Sequence, residues 1–494
     1  MSDAQQEQAV ESASAEEMSL LDSIISDTKV ARSDTEKERA KDLISELVNE
    51  VMSGAVTVSK DLIASIEARI AQIDAVMSQQ LSSIMHNEDF QKLESSWRGL
   101  HYLVHQSETG TGLKINVFNT SKKDLIKDFK SASEFDQSAL FKKIYEEEYG
   151  TFGGAPFAAI IGDYEFSNHP EDMFLLEEIS HVAAASHAPF FSAANAGLFG
   201  MDSFSDLSKP RDLAKGFDTV EFAKWKSFRS SEDSRYVGLT LPHVLGRLPY
   251  GSATVPVEAF NFEEDVTGKE HDKYLWVNAS YSLGVRLTTA YAKHGWCAAI
   301  RGVEGGGLVE GLPTHTFTTD DGEVALKCPT EIAITDRREK ELADLGFIPL
   351  VHCKGTDYAA FFSTQSVQKA KEYDTDAANA NARLSNQLQY IMATSRFAHY
   401  LKSMVRDKIG SFASRADCQL FLSRWIDQYV LGSDNATQEM KAKYPLREAR
   451  IDVSEIPGKP GAYKAVAYLK PHFQLEGLTA SLRLVADLPA PAKG

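Results

Sequence analysis

The sequence predicts an α/β (α+β) core, preceded by a helical N-terminal region and followed by a C-terminal β-strand arm. Three patterns predict it. Apolar residues recur at helical spacing through about the first hundred positions. From residue 113 short apolar runs alternate with helical patterns, the strand–helix–strand rhythm of a layered α/β core. After Pro445 the spacing changes to strict alternation, the mark of half-buried strands. The expected division is an arm over 1–58, a helical plus α/β core over 59–445, and a β arm over 446–494.

Residues 1–15 are small and polar. Ser14 and Glu17 form a capping-box pattern, and Met18, Leu21 and Ile25, with Leu20 and Ile24 beside them, follow at helical spacing. A second box, Ser33 with Glu36, opens a helix that ends near Gly54. A longer helix over 59–84 carries Leu62, Ile66, Ile70, Ile73 and Met77 on one face. The next, over 87–105, sets Phe90, Leu93, Trp97, Leu100 and Val104 along a stripe. LKINVFN from Leu113 reads as a strand, FAAIIGDY from Phe157 as a buried strand, and PFFSAANA from Pro189 as another. Between the last two lies a helix with Pro170 at its start. Further helices are expected at 218–229, 271–293, 336–345, 377–409 and 413–430, and strands at 347–351, 358–363, 449–454, 462–470 and 478–487. In the last strand Leu478, Ala480, Leu482 and Leu484 share one face.

Of the 494 residues, 43% are hydrophobic and 25% charged, a globular composition, and the net charge is −18. That acidity argues against nucleic acid as the main partner, because phosphate binding needs a basic face. Cys297, Cys328, Cys353 and Cys418 are widely spaced, with no zinc-ligand pattern, and read as free, mostly buried thiols of a reducing cytoplasm. No signal-peptide pattern and no run approaching a membrane span is visible, so a cytoplasmic protein is expected.

No P-loop, GxSxG elbow or HExxH helix occurs. The glycine cluster from Arg301 to Pro313 lacks a lysine partner and reads as a tight structural loop. Glu178 and His181 stand three apart on a helix, a metal-binding spacing without a second copy to complete it. His352 and Cys353 are neighbours on a strand and point to opposite faces, so they do not form a nucleophile pair. No catalytic, cofactor or metal site is expected, and the chain is read as no enzyme.

Two long segments carry a resemblance: ESSWRGLHYLV from Glu94, and SEDSRYVGLTLPHVLGRLPYG from Ser231, with GDYEFS from Gly162 and HVAAASHAPFFS from His181 between them. Together they resemble the large subunit of the type VI secretion contractile sheath, the TssC/VipB family, over about residues 15–487. The resemblance implies a contractile-tail sheath fold with no cofactor. It implies pairing with a small sheath subunit of the TssB/VipA kind, stacking with other copies around an inner tube protein, attachment to a baseplate, and recycling by an AAA+ unfoldase. It places an unfoldase-binding helix at Ala15–Asp27, with Met18, Leu21, Ile24 and Ile25 entering the receptor. The densely charged helix TDRREKELAD, with Asp336, Arg337 and Glu339, is one candidate to face the tube, and Lys224 another; an ordinary solvated face is the other reading of both. The terminal strand with Leu478, Ala480, Leu482 and Leu484 would be exchanged between subunits, since a β edge at a chain end invites pairing. Other classes consistent with the residues are a phage-tail-like sheath protein, a phosphate- or nucleotide-binding α/β enzyme acting through residues 301–311, and an adaptor that binds helices.

Overall fold

The computed structural model describes residues 38–39, 41–42, 44–46, 62–319, 321–407, 414–433, 435–455, 457, 463–472 and 474. Two compact bodies are present: residues 1–84 with 250–265, and residues 85–249 with 266–494.

In the first body, helix α1 spans Leu62–Met85. Its polar side is the one that packs: Ser78 and Ser82 are buried, and their hydroxyls accept the backbone N–H of Glu263 at 3.3 Å and of Asp265 at 3.2 Å. Ile66, Ile70, Ile73 and Met77, the stripe legible in the sequence, are exposed.

The second body is built on one sheet. Helix α2 (Glu88–His105) begins at Asn87, whose side chain accepts from Asp89 N, and α3 (Lys122–Ser131) begins at a full Ser121/Asp124 capping box. A π-helical segment, Lys142–Tyr149, leads to strand β1 (Ile160–Phe166). Helix α4 (Pro170–Ser186) starts with proline in its first turn, where no N–H is needed, and stops at His187 in the left-handed conformation, φ 51°. There follow β2 (Phe190–Ala194), α5 (Ala223–Ser230), β3 (Val237–Leu241), α6 (Ser280–His294), β4 (Leu308–Val309), α7 (Asp336–Asp344), β5 (Phe347–His352) and β6 (Ala359–Phe361). Helices α8 (Asp376–Ser385), α9 (Leu388–Asp407) and α10 (Arg415–Ile426) and the hairpin β7 (Leu446–Glu455) and β8 (Tyr463–Pro471) come last.

The sheet runs β1-β2-β3-β5-β6-β4. The first four strands are parallel, with Phe190 opposite both Ile160 and Val237, and Leu239 opposite Phe347; β6 and β4 close the far edge antiparallel. Both faces are covered, which is why these strands read as continuous apolar runs. On one face Leu175 and Ile179 of α4, Trp225 of α5 and Leu342 of α7 pack on Phe190, Leu239 and Phe347. On the other, Leu283 and Leu287 of α6 and Leu388 and Ile391 of α9 pack on Phe191, Ile348 and Phe361. Each such leucine contributes about 1.5–3 kcal/mol. A separate core joins Trp296, Phe397 of α9, Leu422 and Ile426 of α10, and Leu446, Ile451 and Val453 of β7.

Several expectations are corrected. LKINVFN is not a strand and pairs with none among the described residues: Ile115 packs beside Leu103, Val277 and Tyr281, while Val117 and Phe118 are exposed. The helix expected over 271–293 starts only at Ser280, because Trp276–Val277 pairs with Val244–Leu245. The helix over 377–409 is two, parted at Asn386 and Gln387, where the backbone turns to bond the strand-like residues Thr364 and Ser366. Strand β3 lies unannounced inside the second resemblance segment. Of the four thiols, all free, only Cys418 is fully buried and Cys353 is exposed.

Candidate functional site: an assembly surface

No catalytic constellation forms around the residues singled out for chemistry. His181 Nδ1 lies 2.7 Å from Asp233 Oδ2 and not on Glu178. The rings and thiols at 352–353 part company: His352 Nδ1 faces Cys328 Sγ at 3.5 Å, and Cys353 Sγ faces the Tyr358 hydroxyl at 3.5 Å. The glycine cluster folds into a turn that caps the sheet edge. Gly302 and Gly306 take φ of 72° and 91°, and a Cβ on Gly307 would lie 2.5 Å from Phe361 O. Among the described residues no group of three or more His, Cys, Asp or Glu is arranged to hold a metal ion, and no helix is long and apolar enough to cross a membrane.

What the chain does present is surface. On α2 the buried side is Gly99 and Leu103, which meet Tyr281 and Val277. Most of the predicted stripe faces outward instead, with Leu93 57% and Trp97 66% exposed and Phe90 and Val104 also open; only Leu100 of the stripe turns in, half-buried against the Leu103, Val277 and Tyr281 cluster. In the other body α1 offers Ile63, Ile66, Ile70, Ile73 and Met77 to solvent. Scattered single apolar residues on a surface are ordinary, whereas runs at helical spacing form a contiguous exposed patch of the kind found at interaction sites.

The charged candidates separate. Lys224 on α5 is exposed, as are Asp336 and Arg337 on α7. The two helices are tied by Arg229, whose Nη2 donates to Asp344 O at 3.3 Å. Arg337 also donates to Arg211 O at 2.8 Å and pairs with Glu341. Glu339 differs: it accepts a 2.5 Å hydrogen bond from the Ser363 hydroxyl, and burial raises its carboxyl above the ordinary value. Met18, Leu21, Ile24, Ile25, Leu478, Ala480, Leu482 and Leu484 lie outside the described residues.

Two interactions that the sequence did not reveal hold these surfaces in place. Arg247 Nε donates to Glu94 Oε1 at 2.8 Å, and Arg98 Nε donates to the same oxygen at 2.7 Å. Burial opposes the Glu94 charge, but the two guanidinium groups outweigh it and leave the carboxyl below its ordinary value. His243 sits between Glu331, 2.6 Å from Nδ1, and Glu165, 2.9 Å from Nε2. Burial disfavours its charge, yet the two carboxylates prevail and push it up to about 10. Local spacing signals only the Glu94–Arg98 pair, four residues apart; Arg247 stands 153 residues from Glu94, and the carboxylates of His243 stand 78 and 88 residues from it.

The fold is a three-layer α/β body that opens the apolar face of α2 to solvent, and sequence comparison names the family. Residues 67–368 match the VipB tail sheath N-terminal domain (EvpB/VC_A0108), and residues 377–488 match the VipB tail sheath gpW/gp25-like domain. The type VI secretion system sheath protein TssC1 of Pseudomonas aeruginosa is 52% identical over 460 residues, 92% of each chain. The chain belongs to the VipB tail sheath family. Likeness to solved structures is distant. A component of the anti-feeding prophage baseplate gives a TM-score of 0.34 at 10% identity, covering 64% of this chain and 66% of that one. The contracted anti-feeding prophage sheath gives 0.28 at 12%, covering 62% and 66%.

Proposed function

We propose that this chain, a type VI secretion sheath protein, works as the large subunit of a two-component contractile wall. It pairs with a small sheath subunit, stacks with further copies into a helical tubule around an inner tube, and contracts to propel that tube. It does no catalysis of its own. The work comes from a difference in packing between two assembled states. The observation that carries the pairing is the open stripe of α1, Ile66, Ile70, Ile73 and Met77, on a helix whose other side is already used. Left bare, such a face promotes aggregation; covered by a partner, it stabilises the folded chain by mass action. The helix around Met18, Leu21, Ile24 and Ile25 is assigned to an AAA+ recycling unfoldase, and the strand around Leu482 to neighbouring copies. The test is expression with and without a small sheath subunit of the TssB/VipA kind, followed by negative-stain microscopy. Joint expression should give soluble complex and tubules. A stable soluble monomer made alone, with no tubules from the pair, would overturn the reading.

A further inference from the structure

A cavity of about 300 Å³ opens between the second half of α9 and the turn at residues 149–154. Its walls include Tyr149, Phe152, Arg396, His399 and Arg406, with Asp407 the one acid in the lining. Arg406 holds the turn in shape, donating from Nη2 to Tyr149 O at 2.9 Å and from Nη1 to Thr151 O. Lys402 sets its ammonium 3.5 Å from the centre of the Tyr149 ring and 4.8 Å from that of Tyr145. Arg396 lies over the Tyr400 ring at 4.7 Å and reaches His399 Nδ1 at 3.5 Å.

None of these three cations pairs with a carboxylate among the described residues, in a chain whose net charge is −18. Elsewhere on the body Lys226 pairs with Asp218 and Lys371 with Glu232; here three cations gather around one cavity instead. Cations partly removed from water and resting on aromatic faces attract an anion strongly, and guanidinium matches the planar carboxylate fork. His399 registers the same field. Burial first, then Arg396, His187 and Lys402, outweigh its bond to Ser186 O and bring it down to about 4. It is therefore neutral at pH 7 and adds no charge of its own. Phe152, 75% exposed at the rim, and the face of Tyr149 give an entering side chain apolar walls on the way in.

The walls come from both matched domains: Tyr149 and Phe152 from the sheath N-terminal domain, Arg396 to Arg406 from the gpW/gp25-like domain. We propose that this cavity receives a carboxylate side chain from an acidic segment of a second copy of this chain. The proposal rests on the sheath reading, which places identical chains side by side in a heterologous, repeating contact. The occupant's chemistry is an exposed acidic stretch with an aromatic neighbour. Glu372, Asp374 and Asp376, exposed around the exposed Tyr373, have that chemistry. An acidic side chain seated there neutralises Arg396 and bridges the two domains of the receiving copy.

The experiment replaces Phe152, whose exposure makes it tolerant, with the photo-cross-linker p-benzoylphenylalanine in the full chain made with its small partner. Tubules are confirmed by microscopy, irradiated, and the joined peptides sequenced. The expected product links position 152 to an Asp- or Glu-bearing segment of a second copy, with residues 372–376 the foremost candidate. Arg396→Glu should lower its yield at least about ten-fold, while Arg396→Lys, which keeps the charge, should preserve most of it. Tubules that give no product, a product with a different protein, or one with a segment lacking acidic residues would overturn the proposal and leave the sheath reading standing. Absence of tubules with the unmodified pair would remove the sheath reading and this proposal together.

Discussion

Arg247 and Glu94 join the two sequence segments most diagnostic of the family: Arg247 Nε reaches Glu94 Oε1 at 2.8 Å, with both side chains largely buried. The bond fixes α2 to the chain leaving β3, so the outward stripe of α2 has a defined setting. Removing the carboxylate that two guanidinium groups share costs more than the pair contributes. Glu94→Ala should therefore destabilise the chain by about 3 kcal/mol, at the low end for a buried pair because Arg98 is half exposed. Thermal unfolding of the complex with the small subunit reads this; a midpoint unchanged from wild type would show that the pair is ornamental.

Gly99 is the point at which α2 crosses α6. A Cβ there would lie 2.4 Å from the Tyr281 ring and 3.0 Å from Val277 Cγ1. Gly99→Ala should cost about 1–3 kcal/mol, as overpacking does. Gly284→Ala meets only the Ile161 Cδ1 and Leu103 Cδ1 atoms, the movable ends of side chains, and should cost less. If the two variants unfold at the same temperature, ring rigidity is not the controlling factor.

Stability should depend on pH through His243. Its folded value near 10 exceeds the ordinary 6.5, so its contribution is complete below about 6.5 and lost as pH rises through 10. Glu331 is displaced the other way, to about 2 from 4.5, so its share is present above 4.5 and lost as pH falls towards 2. Both describe one cluster, and its full effect falls between about pH 4.5 and 6.5. His243→Gln should flatten the decline between 6.5 and 10; parallel wild-type and variant profiles across that range would exclude it.

The sheet was legible where both faces are buried, because Phe190, Phe191 and Ala193 or Phe347, Ile348 and Leu350 leave no polar alternative. Caps were equally plain at Pro170. The break at Asn386–Gln387 was not, since neither residue ends a helix by itself; distant carbonyl and amide groups of Thr364 and Ser366 draw the backbone away. Nor was the direction of the α1 and α2 stripes. Periodicity reports that a face is apolar and says nothing of whether the same chain or another one covers it. LKINVFN has strand composition but joins no ladder among the described residues. The charged helix α7 was readable as a surface, whereas the inward turn of Glu339 depended on Ser363, 24 residues away.

Contacts with the inner tube should involve the exposed members of that set alone. Lys224→Glu and Asp336→Lys alter open side chains and should leave the complex folded while impairing assembly around the tube, each exposed contact being worth only about 0–1 kcal/mol. Glu339→Lys, by contrast, forces an unpaired charge against Ser363 and should lower the unfolding temperature. Normal secretion in both exposed reversals would take Lys224 and Asp336 off the tube-facing surface.

The C-terminal strands supply the last prediction. Strands β7 and β8 pair from Leu446 opposite Pro471 to Glu455 opposite Tyr463. A two-stranded ribbon is marginal alone, and here Leu446, Ile451 and Val453 anchor it to Leu422 and Ile426 of α10. Its outer side keeps Val466 and Tyr468 exposed. The hairpin is thus seated by its own side chains, and residues 475–494 lie outside the described residues. They carry the alternating Leu478, Ala480, Leu482 and Leu484, suited to a sheet shared between copies. Backbone ladders can travel as one body while linkers bend, which rigid side-chain contacts cannot do. Removal of 475–494 should therefore leave the complex with the small subunit intact but abolish tubules, and Leu482→Asp should weaken assembly in the same direction by burying an unpaired charge. Size-exclusion chromatography and microscopy of the truncated complex separate the outcomes. Intact complex without tubules supports a joint between copies, aggregated protein means the strand completes its own subunit, and normal tubules exclude both roles.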